Sequence, residues 1–423
     1  MRMVKPVRVL GTLALVAAVM LPLAGVASAN VNDVSTERSG SIIVFPKVVW
    51  DGTRDTIIQI ANTSNFMLHA RCFYVNAAPA NPLFPPGPTN PAQCNETDFD
   101  IWLTRQQPTH WVASQGRSAF GFDRGGLADS VYATTGVMNN NAGFSPGLIP
   151  PVSSGFIGEL KCVQVDPSDA PLRGNALKGE ATIRSLSGDV SQYNAIAFQG
   201  NPDMTFSEGD PEDLVLDLTP SHLGEYSACP DTLLFNHIAQ GASDPVIEQI
   251  GDCTPVCVAG PSIGATCTVD SDCGIGGICG ACPVSTELTL VPCSQNLENQ
   301  IFGNVTVQFL VFNEFEQPFS TSTTVSCFLN LPLNQIGVPG RNPFTYAVLG
   351  TLGAYSRINP NPGNGGVIGL AEEFRSASSS AGLGEATAAA FNLHTEGNRF
   401  DAATNGKGVP VQGATDHIII PQP

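Results

Sequence analysis

"SIIVFPKVVWDGTRDTIIQIANTSNFMLHARCFYVN", residues 41 to 76, is the stretch that decides the fold. It is rich in β-branched and aromatic residues, which suit a pleated, half-buried surface. Turn formers break it twice, at Asp51-Gly52 and at Asn62-Thr63-Ser64-Asn65. At least three strands follow. In the third, Leu68, Ala70, Cys72 and Tyr74 alternate with His69, Arg71, Phe73 and Val75, the period of two that a strand imposes on its faces.

Beyond this stretch comes "NAAPANPLFPPGPTNPAQC", residues 76 to 94. Its prolines withhold the N–H groups that a helix or a central strand needs, so it reads as a loop. Cys72 and Cys94 flank it, and a bridge between them would clamp it at a sheet edge. More strands are expected at Phe99 to Leu103, Phe156 to Val165, Ala181 to Ser185 and Tyr193 to Phe198, separated by Gly, Pro, Asn and Ser. Helix signals are nearly missing; the best, Ala228 to Ala239, is short and broken at Pro230. Many short strands with polar turns predict an all-β chain of β-sandwiches, Ig-like or jelly-roll-like.

The second half echoes the first. "NVTVQFLVFN" at Asn304 alternates like Thr56 to Ile60, and "CFLN" at Cys327 matches "CFYVN" at Cys72. "GVIGLAEEF" at Gly366 and "LGEAT" at Leu383 then repeat the order of "GFIGELKC" at Gly155 and "LKGEAT" at Leu177. Four short matches in the same order predict a duplicated domain. The expected organisation is a signal peptide over 1–29, a first sandwich over 36–245, a Cys-rich module over 250–283 lying between the copies, and a second sandwich over 284–423.

The signal is read from Arg2, Lys5 and Arg8 ahead of an apolar run that ends in Ala27-Ser28-Ala29, a small-x-small cleavage pattern. The apolar core is short, contains Pro22 and has no charged stop, so a retained membrane helix fits less well. No Cys stands at the cleavage point to carry a lipid, and no later run is long and apolar enough to span a bilayer. The expectation is a secreted, cell-surface or periplasmic protein with no membrane insertion after cleavage.

That compartment decides how the 12 cysteines are read, because oxidising surroundings favour pairing and the number is even. All are expected in disulfides: Cys72, Cys94, Cys162, Cys229, Cys253, Cys257, Cys267, Cys273, Cys279, Cys282, Cys293 and Cys327. Outside the module the expected partners are Cys72–Cys94, Cys162–Cys229 and Cys293–Cys327, with connectivity left open. Within it, "CTVDSDCGIGGICGACP" has too little apolar surface to hold itself by burial, so covalent staples are needed. Zinc is disfavoured because only Cys279-Gly-Ala-Cys282 has knuckle spacing. Redox use is disfavoured because that pair follows a glycine loop and precedes Pro283. "CTVDSDCGIGGIC" resembles short Cys-rich repeats of exported proteins, and the whole chain resembles secreted β-sandwich proteins of Gram-negative bacteria. The resemblance implies a disulfide-rich loop and carries no functional residue onto these positions.

The formal net charge is −18, and three of the cations lie in the signal, so nucleic acid and anionic lipid are unfavourable partners. Catalytic hardware is not found: there is no Gly-x-Ser-x-Gly elbow, no His-Glu-x-x-His helix and no phosphate loop. Asp98 and Asp100 share one strand face, so they point the same way and cannot flank a glycosidic bond. In "EGDPEDLVLD", Asp210, Glu212, Asp213 and Asp217 form a candidate calcium site of hard oxygen ligands, without the EF-hand spacing. Trp50, Trp102 and Trp111 are either core residues or stacking surfaces for sugars. No cofactor other than calcium is implied. The expected function is a non-catalytic structural or adhesive protein. The alternatives are a carbohydrate- or calcium-dependent binding module and an unrecognised secreted hydrolase. Self-association or surface glycans are the expected partners. The closing "HIIIPQP" at His417 is read as a strand that closes its own domain or joins a neighbour.

Overall fold

The computed structural model describes residues 34–81, 90, 92–117, 147–167, 171–186, 188–200, 226–227, 229–230, 232–246, 255–259, 261–262, 265–275, 277–280, 283–293, 304–337, 341–361, 366–375 and 388–396. The signal segment, the acidic loop with Asp210, Glu212, Asp213 and Asp217, Cys253, Cys282 and the closing "HIIIPQP" lie outside the described residues.

The fold is all-β. A first sandwich contains β1 (Ile42–Trp50), β2 (Arg54–Asn62), β3 (Leu68–Asn76), β4 (Asn95–Leu103), β5 (Pro108–Val112), β6 (Phe156–Val165), β7 (Leu177–Ser185), β8 (Val190–Asn194) and β9 (Ile196–Phe198). One layer runs β4-β3-β6-β1 with β9 beside β1; the other runs β5-β2-β7-β8. β1 and β2 meet only at Trp50 and Asp55, so their hairpin is the corner where one antiparallel sheet folds into two layers. The inward positions of the alternation, among them Phe45, Ile58, Ile60, Leu68, Ala70, Tyr74, Trp111 and Leu160, fill the space between the layers.

A second sandwich begins with β10 (Thr232–Ile238). Next come β11 (Val256–Ala259) and β12 (Ile278–Gly280), which form a separate two-stranded unit. The sandwich then continues through β13 (Ser285–Pro292), β14 (Asn304–Asn313), β15 (Pro318–Ser326), β16 (Leu329–Pro332), β17 (Gly353–Pro360), β18 (Val367–Phe374), β19 (Ala388–Asn392) and β20 (His394–Glu396). Its layers run β15-β14-β17-β10-β20 and β16-β13-β18-β19. Strand for strand, this is the order of the first sandwich. The registers agree as well: Ile43 pairs with Cys162 and Ala197, and Leu233 with Ile358 and Thr395. Ile60 faces Gly179 as Leu290 faces Gly369. Both glycines are close-approach points, since an added Cβ would lie 2.4 Å from Phe45 at Gly179 and 2.6 Å from Leu393 at Gly369.

Three expectations change. Residues 232–238, which carry the best helix signal and were assigned to the first sandwich, are the opening strand of the second, paired with β17 and β20. Long-range pairing outranks local propensity here. The Cys-rich module does not lie between the two sandwiches; it is inserted after β10, where the first sandwich has only the turn Asp51–Thr53. The antiparallel bridge Ser243–Pro283 brings the ends of the insertion together, which is why a hairpin turn can accept it. Finally, the strand order pairs the two sandwiches differently from the sequence matches. β14 corresponds to β3 and not to β2, and β18 corresponds to β7 and not to β6.

The two sandwiches share a third core. Ile42, Val44, Phe73, Val163, Ile196 and Phe198, on the outer face of the β1 layer, pack against Val291, Cys293, Phe328 and Ile368 of the second sandwich. This explains why eight of the nine residues of β1 are buried on both faces.

Candidate functional site

Charged side chains collect where the two sandwiches meet. β1 carries a bulge between Phe45 and Val48, so one extra residue is accommodated and the strand twists locally. Lys47 sits in that bulge, and its side chain is 0% exposed. Its Nζ donates to Glu287 on β13 and, at 2.8 Å, to Glu372 on β18. Ser191 Oγ on β8 donates to the other Glu372 oxygen at 2.6 Å. The Tyr193 hydroxyl donates to the Lys47 carbonyl. Arg54 lies 3.8 Å from Glu372 and 3.9 Å from Glu287, while its Nε donates to Asp51 at 2.8 Å.

The cluster therefore sets two cations, Lys47 and Arg54, against Glu287 and Glu372 across the interface, with Asp51 as a third carboxylate on Arg54. Burial alone would raise the Glu287 carboxyl, but Lys47 and Arg54 outweigh it and hold that group below the usual carboxylate range. Burial likewise opposes the charge on Arg54, yet Asp51, Glu287 and Glu372 raise its pKa. Asp51 falls to about 2: burial raises it, and hydrogen bonds from Thr53 and Arg54 overcome that. A cleft of about 370 Å³ opens beside the cluster, lined by Asp51, Arg54, Asp189, Ser191 and Glu372 among others. Each cation here has a carboxylate partner, so the arrangement suits holding two bodies in one geometry.

A second row stands on the outer face of β3 and β4. Arg71 is clamped by Asp98 and, at 3.1 Å, by Asp100. His69 stacks on Trp102 with ring centroids 3.9 Å apart and planes 7° apart, and its Nδ1 lies 2.8 Å from the Asp166 carbonyl. Asp98 and Asp100 thus share a face and an arginine, as same-strand neighbours must. The three tryptophans divide: Trp111 is fully buried and donates to the Tyr74 hydroxyl at 2.6 Å, Trp50 packs at the core margin, and Trp102 is half-buried on the outer face.

The described cysteines are paired in five disulfides. Cys72–Cys162 joins cross-strand neighbours on β3 and β6, and Cys229–Cys293 ties the approach to β10 to the end of β13. Cys94–Cys327 spans 233 residues and links the two sandwiches. These replace the expected pairs Cys72–Cys94, Cys162–Cys229 and Cys293–Cys327. The reason is register: β3 lies between β4 and β6, and Cys162 is the residue directly opposite Cys72. In the module, Cys257–Cys273 and Cys267–Cys279 build a small sulfur core. Cys257, Cys267 and Cys273 are close enough together to suggest a metal cluster, but disulfide sulfurs are not thiolate ligands. The acids of "DSD" have a local use: Asp270 accepts from Cys279 N–H at 2.8 Å, and Asp272 accepts from Thr268 and Val269.

The interface cluster was missed by sequence reasoning. Its one sequence sign is a lysine inside the apolar run "IIVFPKVVW". Among the described residues, no helix is long and apolar enough to cross a membrane. No family model matches the chain, and no curated protein is similar to it.

Proposed function

We propose that the chain is an exported, non-catalytic structural or adhesive protein of the periplasm, cell surface or extracellular matrix, built by internal duplication of a nine-stranded sandwich. The observation that carries this reading is the Cys94–Cys327 disulfide together with the apolar core it borders, which join the two sandwiches into one stiff body. A load-bearing or adhesive part benefits from lacking a hinge, and a covalent tie of this kind persists only in an oxidising compartment. The matching strand orders support duplication.

Fractionation of the producing cells tests the reading. The chain should be recovered from the envelope or the medium with its thiols protected from alkylation, and a deletion strain should lose adhesion or envelope integrity. Recovery from the cytoplasm with free cysteines that alkylate without prior reduction would remove its basis. A second reading, carbohydrate binding, draws on Trp102, stacked on the buried His69 beside Asp100, because a partly exposed aromatic ring with polar neighbours suits a sugar face. Trp102→Ala should then abolish signal on a glycan array without lowering the melting temperature.

A further inference from the structure

The outer strands of the two equivalent layers differ in a way that points to a partner. β4 and β15 hold the same place in the two sandwiches, with Phe99 opposite Cys72 as Thr321 is opposite Phe309. Along β4 the outward positions are Glu96, Asp98, Asp100 and Trp102; along β15 they are Pro318, Ser320, Ser322 and Thr324. Charge on an edge strand is a common guard against pairing with other chains. β4 carries it and β15 does not.

β15 is also long and evenly paired. All nine residues from Pro318 to Ser326 align with β14 without a register shift, and among the described residues β14 is its one partner strand. Its own sequence is self-complementary. Read antiparallel about Ser322, "PFSTSTTVS" places Ser322 against Ser322, Thr321 against Thr323, Ser320 against Thr324 and Phe319 against Val325. Hydroxyl then meets hydroxyl on the outer face, and apolar meets apolar where Val325 lies in the core and Phe319 packs against it. The first arrangement already exists on the strand's other side, where Thr306 and Thr324 hydroxyls are 3.1 Å apart. Cross-strand Ser/Thr pairs of this type are stabilising.

We infer that β15 is a pairing edge whose occupant is β15 of a second copy, joined antiparallel about a two-fold axis at Ser322. Charge favours this place for self-contact. Two chains of net charge −18 repel, and the edge and the neighbouring outward positions Thr306, Gln308 and Leu310 carry no charge. The inference goes beyond the structural-protein reading by naming the surface and the partner, and it stands apart from where the chain resides.

Sedimentation of the purified full chain tests it. The expected result is a concentration-dependent dimer at about 100 µM or below. Ser322→Lys sets like charges opposite each other on the axis and should weaken the dimer by at least about tenfold. Thr97→Lys, on β4, should leave it unchanged. Ser322→Cys should yield a disulfide-linked dimer under mild oxidation, and Ser326→Cys, which faces Pro318, should not. A chain that stays monomeric and does not cross-link at position 322 overturns the proposal. So does a full-length monomer that dimerises only after residues 416–423 are deleted, because the chain's own closing segment would then be the occupant.

Discussion

The outer faces of the layers β4-β3-β6-β1-β9 and β15-β14-β17-β10-β20 occupy the same place in two sandwiches of one design, yet they have opposite chemistry. Where the first has Ile42, Val44, Val163 and Ile196, the second has Thr232, Leu234, Asn359 and His394 at the matching registers. The first set is buried against the neighbouring sandwich. Inner faces of a sandwich must stay apolar for the fold to exist, so both copies keep them; outer faces are free to change with whatever covers them. The contact is head-to-tail: the β1 layer of one copy lies on the β13–β18 layer of the other.

The largest test of this comparison concerns Lys47. Lys47→Met would take the nearer cation from Glu372, 2% exposed, and leave it the more distant Arg54 at 3.8 Å, and it should cost about 3–5 kcal/mol in denaturant unfolding. Adding Glu372→Leu and Glu287→Leu should recover most of that loss, since Arg54 keeps Asp51 as its partner and no buried carboxylate is left facing the missing lysine. Next, Cys94→Ser with Cys327→Ser should destabilise the chain by about 2–5 kcal/mol, because the 233-residue separation makes this tie the strongest constraint on the unfolded chain. In the second sandwich, Phe309 and Ile358 stand where the first has the Cys72–Cys162 disulfide, so van der Waals packing there does what a covalent bond does in the other copy.

A pH dependence of about 3 kcal/mol should separate the copies next. His237, in the core of the second sandwich beside Phe235 and Phe344, accepts or donates at Ser356 Oγ over 2.8 Å; burial lowers its pKa from 6.5 to about 4. An unfolded chain therefore binds that proton more readily, so the contribution is complete above pH 6.5 and is lost as pH falls from 6.5 towards 4. His237→Gln should flatten the stability profile over this range. Glu287 works in the same direction at lower pH, since its depressed carboxyl favours the fold until it is protonated. Of the matched glycines, Gly179→Ala should cost about 1–3 kcal/mol and Gly369→Ala less, because the first meets a Phe45 ring and the second the movable ends of Leu393 and Leu290. The smallest effect belongs to the module. Replacing residues 245–282 by a two-residue turn, which keeps the buried Asp244 on Arg375, should leave the melting temperature of the sandwiches nearly unchanged.

Much of this architecture is readable along the chain, and the unreadable part has a physical pattern. The inward alternation Leu68, Ala70, Cys72 and Tyr74 marks β3 because one face of every sandwich strand must be apolar. β1 shows no such alternation, since its second face is covered by a distant part of the chain. β10 reads weakly for the same reason: its identity as a strand comes from β17 and β20. The disulfides depend on which strands are neighbours, and proximity in sequence misled, as with Cys72 and Cys94. The Lys47 cluster is assembled from five strands, and Lys47 and Glu372 at its extremes lie 325 residues apart along the chain, so a lone lysine in an apolar run is all that local sequence can offer.

Joined by Cys94–Cys327 and the shared apolar core, the two sandwiches should unfold as one body. All three tryptophans, Trp50, Trp102 and Trp111, lie in the first sandwich, so fluorescence follows that copy alone, while far-UV circular dichroism follows both. With disulfides intact, the two signals should trace a single coincident transition in guanidinium chloride. Two separated transitions, with fluorescence complete while half of the dichroism change remains, would contradict the account.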